Sequence, residues 1–311
     1  MSFEKIYHQS ELIVTEAALV ERLKSEFNIR MDAMINHAGL IYTNPKVLEV
    51  FYKQYINVGQ AFDLPIMMMT PTRKVNAETI TLSSCFDKDV TGDACKFLND
   101  IKAGYGDYSE KILIGALLGC RGDAYCGDKL LSKEEAYLFH RQQTMQLSSQ
   151  EVDYLFAGIM PELNEALGMA KAMSETNLPY IISFMLRKDG CLMDGTVLSE
   201  AIKMIDNEVY PKPICYMANC IHPTNLHEAL KHPLNKNSEQ LARFKGIQSN
   251  ASVLSPEELN NSNLLHQNDF NEMIDEMVVL KKQYGFKILG GCCGTDERFL
   301  KSLCLKLSQD V

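Results

Sequence analysis

The stretch GFKILGG, residues 285–291, is a short apolar run that ends in glycines and continues directly into Cys292, Cys293 and Gly294. Seven other runs are of the same kind: ELIVT (11–15), LPIMMMT (64–70), KILIGALLG (111–119), VDYLFAG (152–158), LPYIISFML (178–186), PICYMAN (213–219) and FKGIQSN (244–250). Most are apolar without strict alternation, the pattern of strands buried on both faces of a parallel sheet. Segments with helical spacing lie between them. Residues 45–62 place Val47, Val50, Phe51, Ile56 and Val58 near one broad face, with Pro45 at a first helical position. Ser132 followed by Glu135 is a capping-box pattern at the head of 132–149. Residues 199–209 and 270–285 also read as helices, the second closing at Gly285. Eight strands alternating with helices predict an α/β fold, a (β/α)8 TIM barrel with elaborated loops, spanning 1–311 as a single domain. The surplus over the ~250 residues typical of that fold is expected in loops near 85–110, 120–131 and 231–243. An open doubly wound sheet is the alternative, which the strand count disfavours.

Composition narrows the partners. Apolar residues make up 46% and charged residues 23% of the 311, which suits a soluble protein with a sizeable core. The net charge of −9 and the lack of a basic cluster argue against nucleic acid and anionic membrane surfaces. Small molecules are the expected partners. No apolar run approaches the ~18 residues of a membrane span, and the start MSFEKIYHQSELIV lacks a signal-peptide core. A cytoplasmic location is therefore expected, where ten cysteines are unlikely material for structural disulfides. Cys85, Cys95, Cys120, Cys191, Cys215 and Cys304 are expected as small core or surface residues.

Chemistry in a barrel gathers where strands end and the following loops begin. Glu16 follows the first run, Thr70 and Thr72 the second, Cys220 the sixth, Asn250 the seventh, and Cys292 and Cys293 the eighth. Three thiols thus converge on one rim, a soft donor set for which zinc is the expected occupant, with the fourth tetrahedral position open. Zinc with three thiolates carries a formal charge of −1 and is a poor Lewis acid. Such a site suits binding a substrate thiol as an electron-rich thiolate, hence alkyl transfer to sulfur by in-line displacement. Neighbouring residues of a strand point to opposite faces, so Gly290, Gly291 and Gly294 are expected to bend the chain there. Other readings remain beside this one. The adjacent cysteines could be core residues or a vicinal redox pair. His222, His227 and His232 are expected on the surface or in loops, with His222 a reserve ligand, and Met67, Met68 and Met69 as buried strand filler. Glu16 could be an acid at a helix start.

GGCCGT (290–295), the pair Asn219–Cys220, and YIISFMLRKDGCLMDGTVLSEAI (180–202) together resemble the homocysteine S-methyltransferases, and the likeness runs over essentially the whole chain. ICYMANCIHP (214–223) is similar to the family's strand-six segment, FKGIQSNASVLSPEEL (244–259) to its strand-seven region, and ILIGALLGCRGDAY (112–125) to strand three with its loop. The resemblance implies a zinc-dependent barrel in which Cys220, Cys292 and Cys293 hold the metal, the metal binds the homocysteine thiol, and a small donor delivers a methyl group, giving methionine. Candidate donors are S-methylmethionine, S-adenosylmethionine or a betaine. Glu16, Thr72 and Asn250 are the candidate substrate contacts. Two departures stand out. The family's DGxxGT near the N-terminus is TEAALVE (15–21) here, with Glu16 replacing the acid. Its strand-four Glu is replaced by Gly158 in FAGIMPE (156–162), with Glu162 nearby. An alternative expectation is therefore alkyl transfer to a different thiol, or a zinc- or thiol-binding protein without turnover.

Overall fold

All eight apolar runs form strands: β1 (Ile13–Thr15), β2 (Ile66–Met69), β3 (Ile112–Gly119), β4 (Tyr154–Met160), β5 (Tyr180–Phe184), β6 (Cys215–Ile221), β7 (Phe244–Ser249) and β8 (Ile288–Gly291). The computed structural model describes residues 2–124, 131–255, 258 and 269–309. Each strand pairs in parallel with the next, and β8 returns to β1 through Ile13↔Ile288 and Val14↔Leu289, closing a barrel. Parallel neighbours cannot be joined by a hairpin, so each step crosses over through a helical connection. Those helices cover the outer face, which is why the strands read as continuously apolar rather than alternating.

Two apolar layers result. The outer layer packs strand residues such as Met68, Ile114, Leu155 and Ile182 against the helices. The inner layer fills the barrel with Ile13, Met67, Met69, Leu113, Tyr154, Phe156, Ile181, Met217 and Ile288. The three methionines of β2 therefore divide between the layers, as strand alternation requires. A helix over Phe3–Gln9, unforeseen from the sequence, joins the inner layer through Phe3, Ile6 and Tyr7. The Phe3 ring stacks on Tyr154 of β4 with centroids 4.5 Å apart.

The helix over Pro45–Ala61 starts with its proline as expected, but its buried face is Leu48, Phe51, Tyr52, Tyr55, Ile56 and Val58, while Val50 is exposed. Ser132 and Glu135 form both halves of the capping box at the head of the helix Lys133–Ser148. Gly285 ends the helix Phe270–Tyr284 at φ +65°, a left-handed cap. The expected loop near 85–110 is corrected: it contains a 14-residue helix, Val90–Ala103, capped by Asp89. Residues 125–130 of the expected loop 120–131 lie outside the described residues. Among the described residues, no helix is long and apolar enough to cross a membrane.

Phe3 is only 1% exposed and carries a large part of the contact between its helix and the barrel interior. Phe3→Ala is expected to cost about 3–5 kcal/mol of unfolding free energy, measured by urea denaturation.

Candidate functional site

The β6 strand contains the local problem that the site has to solve. Asn219 and Cys220 are adjacent, so a regular strand would send them to opposite faces. Both nevertheless line one cavity at the C-terminal rim. The ladder between β6 and β7 shifts register between Asn219 and Ile221, and Cys220 takes φ +53°, a value uncommon outside glycine. A bulge of this kind re-aims a side chain. Asn219 stays inward, its Nδ2 donating to Gln248 of β7 and its Oδ1 accepting from the Ile159 N–H at 3.1 Å. Gln248 in turn donates to the Thr15 hydroxyl at 3.2 Å, so the inward polar groups of β6, β7 and β1 form one chain of bonds.

A second irregularity sits on β4. The β4–β5 ladder shifts between Ala157 and Met160, and Ile159 has φ +60°, a rare conformation for a β-branched residue. Gly158 and Ile159 both border the cavity. A Cβ at Gly158 would come within 2.8 Å of the Leu117 side chain, so Leu117 of β3 occupies the approach to this position.

After β8 the chain turns. The Cys292 N–H donates to the Ser249 carbonyl at 2.7 Å, and the Cys293 carbonyl accepts from Ala251 at 2.9 Å. The expectation that three glycines bend the chain is corrected for two of them. Only Gly294 has positive φ, at +77°; Gly290 and Gly291 belong to β8. They are small because Thr15 and Thr295 press against them where a Cβ would sit. The Gly294 N–H donates to the Glu21 carboxylate at 2.7 Å, fastening the turn to the segment after β1.

These features bring the three sulfurs of Cys220, Cys292 and Cys293 within 4.8 Å of one another. Cys220 and Cys292, with Cα atoms 5.7 Å apart, have their sulfurs close enough to bond, whereas the vicinal partner Cys293 is free. Sulfurs around a tetrahedral zinc, with Zn–S near ~2.3 Å, stand roughly 3.8 Å apart. The reduced triad therefore fits such an ion. Cys293 reaches the surface, yet the protein atoms crowded around its sulfur desolvate the thiol and push it up to about 11, and the Glu21 carboxylate adds to the rise. Without a cation this thiol is protonated at neutral pH.

The cavity, about 320 Å³, has Met69, Leu117 and Phe156 as apolar wall and Glu16 as a buried acid. The Glu16 Oε2 accepts from the Met69 N–H at 2.9 Å. Burial nevertheless pushes its carboxyl up to about 8, against the opposing pull of that bond.

Of the candidate substrate contacts, Glu16 alone lines the cavity. Thr72 is engaged by the Thr70 hydroxyl and the Leu117 carbonyl, each at 2.7 Å. Asn250 is buried and its Oδ1 accepts from Ser252 at 2.9 Å. Both hold loops rather than face the cavity. The histidines depart from expectation as well. His222 and His227 are buried, not on the surface; His222 caps the helix Pro223–Lys231, and His227 bonds Glu276 and Gln283. Neither joins the thiol cluster among the described residues. Glu162 is buried but lies outside the cavity lining. Missed from the sequence were His37, Arg73 and Gln248 on the cavity wall; Asn219, also there, was legible only as part of the Asn219–Cys220 pair.

Comparison with known proteins identifies the family and the fold. Residues 13–307 match the profile of the family described as homocysteine S-methyltransferase. Among curated proteins, none matches the chain significantly. Solved structures of the homocysteine methyltransferase MmuM from Escherichia coli share the fold. The metallated form has a TM-score of 0.76 at 17% identity, covering 97% of this chain and 98% of that one. The oxidized form has a TM-score of 0.75 at 18% identity, covering 97% of each chain. The apo form has a TM-score of 0.69 at 17% identity, covering 96% and 97%.

The raised Glu16 carboxyl has a pH consequence. Its folded-state pKa of about 8 lies above the ordinary 4.5, so the folded protein holds the proton more tightly than the unfolded chain. The cost of ionising it in place is absent below pH 4.5, grows as pH rises, and is complete above pH 8. Glu16→Gln removes that cost. In urea titrations the variant is expected to gain stability relative to wild type between pH 5 and pH 8.5.

Proposed function

Because the chain belongs to the homocysteine S-methyltransferase family and is an S-methyltransferase, we propose that it moves a methyl group from a small sulfonium or ammonium donor to the thiol of homocysteine, giving methionine. Zinc would be held by Cys220, Cys292 and Cys293. The observation that carries this reading is the convergence of three thiols on a cavity that also holds a buried carboxyl. Bound there, zinc would keep the acceptor sulfur deprotonated and nucleophilic at neutral pH.

The chain's own residues supply positioning. Glu16 receives the ammonium of the amino-acid acceptor, and the incoming positive charge favours its ionised form. Met69, Leu117 and Phe156 exclude water from the path of the methyl group. Asn219 and Gln248, tied to each other, keep the inner wall fixed behind Cys220. Thr72 and Asn250 act indirectly, by fixing the loops after β2 and β7. Transfer is a displacement at carbon: the new bond joins the acceptor sulfur to the methyl group. The bond to the donor sulfur or nitrogen breaks, and the neutral sulfide or amine leaves with its electron pair.

Gly158 favours a second reading, an acceptor thiol with a different polar head. Two carboxylates border the cavity, Glu16 and Glu21; the second accepts from the Gly294 N–H at the cysteine turn, and no carboxylate stands at Gly158. The two readings part on the amino group.

Under reducing conditions the protein is expected to bind about one zinc per chain, with Cys220→Ser or Cys293→Ser losing it, measured by elemental analysis. An active protein with no zinc would overturn the metal's role. Incubation with homocysteine and each donor in turn is expected to yield methionine, and silence with every donor would remove the assigned reaction. Glu16→Gln is expected to raise KM for homocysteine by about 10–100-fold while leaving 4-mercaptobutanoate, which lacks the amino group, unchanged. Equal handling of the two thiols by wild type would favour the second reading.

A further inference from the structure

The loop after β2, TPTRKVN (70–76), is fastened on both sides of Arg73. Thr72 is bonded as described, its carbonyl accepts from Val75 at 2.8 Å, and Lys74 reaches the Gly122 carbonyl at 2.6 Å. The Arg73 backbone packs on Gly119, the last residue of β3, where a Cβ would overlap the Arg73 carbonyl. Arg73 lines the cavity, half-buried, and its guanidinium has no hydrogen-bond or ion-pair partner among the described residues. Its charge is felt by Cys293 and by His37. His37 lines the same cavity, is 5% exposed, and its Nδ1 is buried without a partner.

Buried polar atoms in folded proteins are normally paired. Two unpaired polar side chains on one wall, one of them on a fixed loop, make a site prepared for something that arrives. We propose that Arg73 and His37 form a carboxylate subsite of this cavity, taking the carboxylate of the acceptor thiol or of the methyl donor. This rests on the methyl-transfer reading for the identity of its ligands, not for its existence.

The chemistry points to a monoanion with a planar head. A guanidinium presents two parallel N–H donors that match a carboxylate. A neutral imidazole can add one more N–H, and burial together with the Arg73 charge keeps His37 neutral, its pKa lowered to about 3. The Arg73–His37 pair therefore carries one full positive charge, while Lys24, an exposed cation, also borders the cavity. Glu21 is the acid whose charge acts on Cys293, and its carboxylate accepts from the Gly294 N–H. Glu16 and Arg73 border the same cavity and offer opposite charges, which suits a zwitterionic amino acid whose ammonium and carboxylate are recognised by different strands' loops.

The test uses the zinc-loaded, reduced full-length chain and measures binding by calorimetry. In the acceptor arm, 4-mercaptobutanoate is compared with 4-mercaptobutan-1-ol, which lacks the charge. In the donor arm, S-methylmethionine is compared with its decarboxylated counterpart. Wild type is expected to prefer the carboxylate by about 10–100-fold in the arm that uses the subsite. Arg73→Gln should abolish that preference at unchanged zinc content, and Arg73→Lys should restore part of it. His37→Phe should weaken the carboxylate ligand and not the neutral one. Wild type without a carboxylate preference in either arm would overturn the proposal, as would a preference that survives in Arg73→Gln. A preference lost in Arg73→Gln together with no methionine from any donor would uphold the subsite and defeat the methyl-transfer reading instead.

Discussion

Alternation along a β-strand is the constraint on which the site depends. A thiol triad built from Cys220 and the adjacent Cys292 and Cys293 requires chain neighbours to share one side, which a regular strand forbids. The protein meets this at the rim, where the ladder can be broken without opening the barrel. On β6 the break is a register shift with Cys220 at φ +53°. After β8 it is a turn completed by Gly294 at φ +77°. Below the rim the ladders stay regular: the closing pairs Ile13↔Ile288 and Val14↔Leu289 lie well beneath the cysteines. Irregular backbone conformations cost free energy and persist where the surroundings hold them. Here the holding groups are visible as the Asn219–Gln248–Thr15 bonds behind Cys220 and the Glu21 carboxylate on Gly294.

The same economy of space governs the glycines. Gly290 and Gly291 continue β8 and do not turn; the Thr15 and Thr295 side chains occupy the positions their Cβ atoms would need. On β4, Gly158 leaves room that Leu117 partly fills. The cavity is consequently more apolar on that wall, and its charged groups come from the segments after β1 and β2.

How much of this was legible in the chain follows from the range of each signal. Strands buried on both faces write themselves as short apolar runs, so eight runs such as LPIMMMT and GFKILGG each became a strand. Local caps were legible for the same reason: Ser132 with Glu135, Pro45 and Gly285 act within a turn of their own helix. The helix Val90–Ala103 was missed because its stretch mixes polar and small residues, and its buried face is set by contacts elsewhere in the fold. Arg73 and His37 gave no signal at all, since an unpaired guanidinium looks like any solvated arginine until its surroundings are known.

The sequence by itself determined the barrel, the three thiols and the acid after β1, because each rests on residue types at a strand or at its end. Tertiary structure alone decided which of the rim residues face the cavity. Thr72 and Asn250 stand at strand ends as Glu16 does, yet their hydrogen-bonding groups are spent on neighbouring loops. Glu16 remains on the cavity wall because its partner, the Met69 N–H, lies on that wall. Position at the rim is a property of chain order. Orientation is settled by which partner is within hydrogen-bond reach once all eight strands have closed.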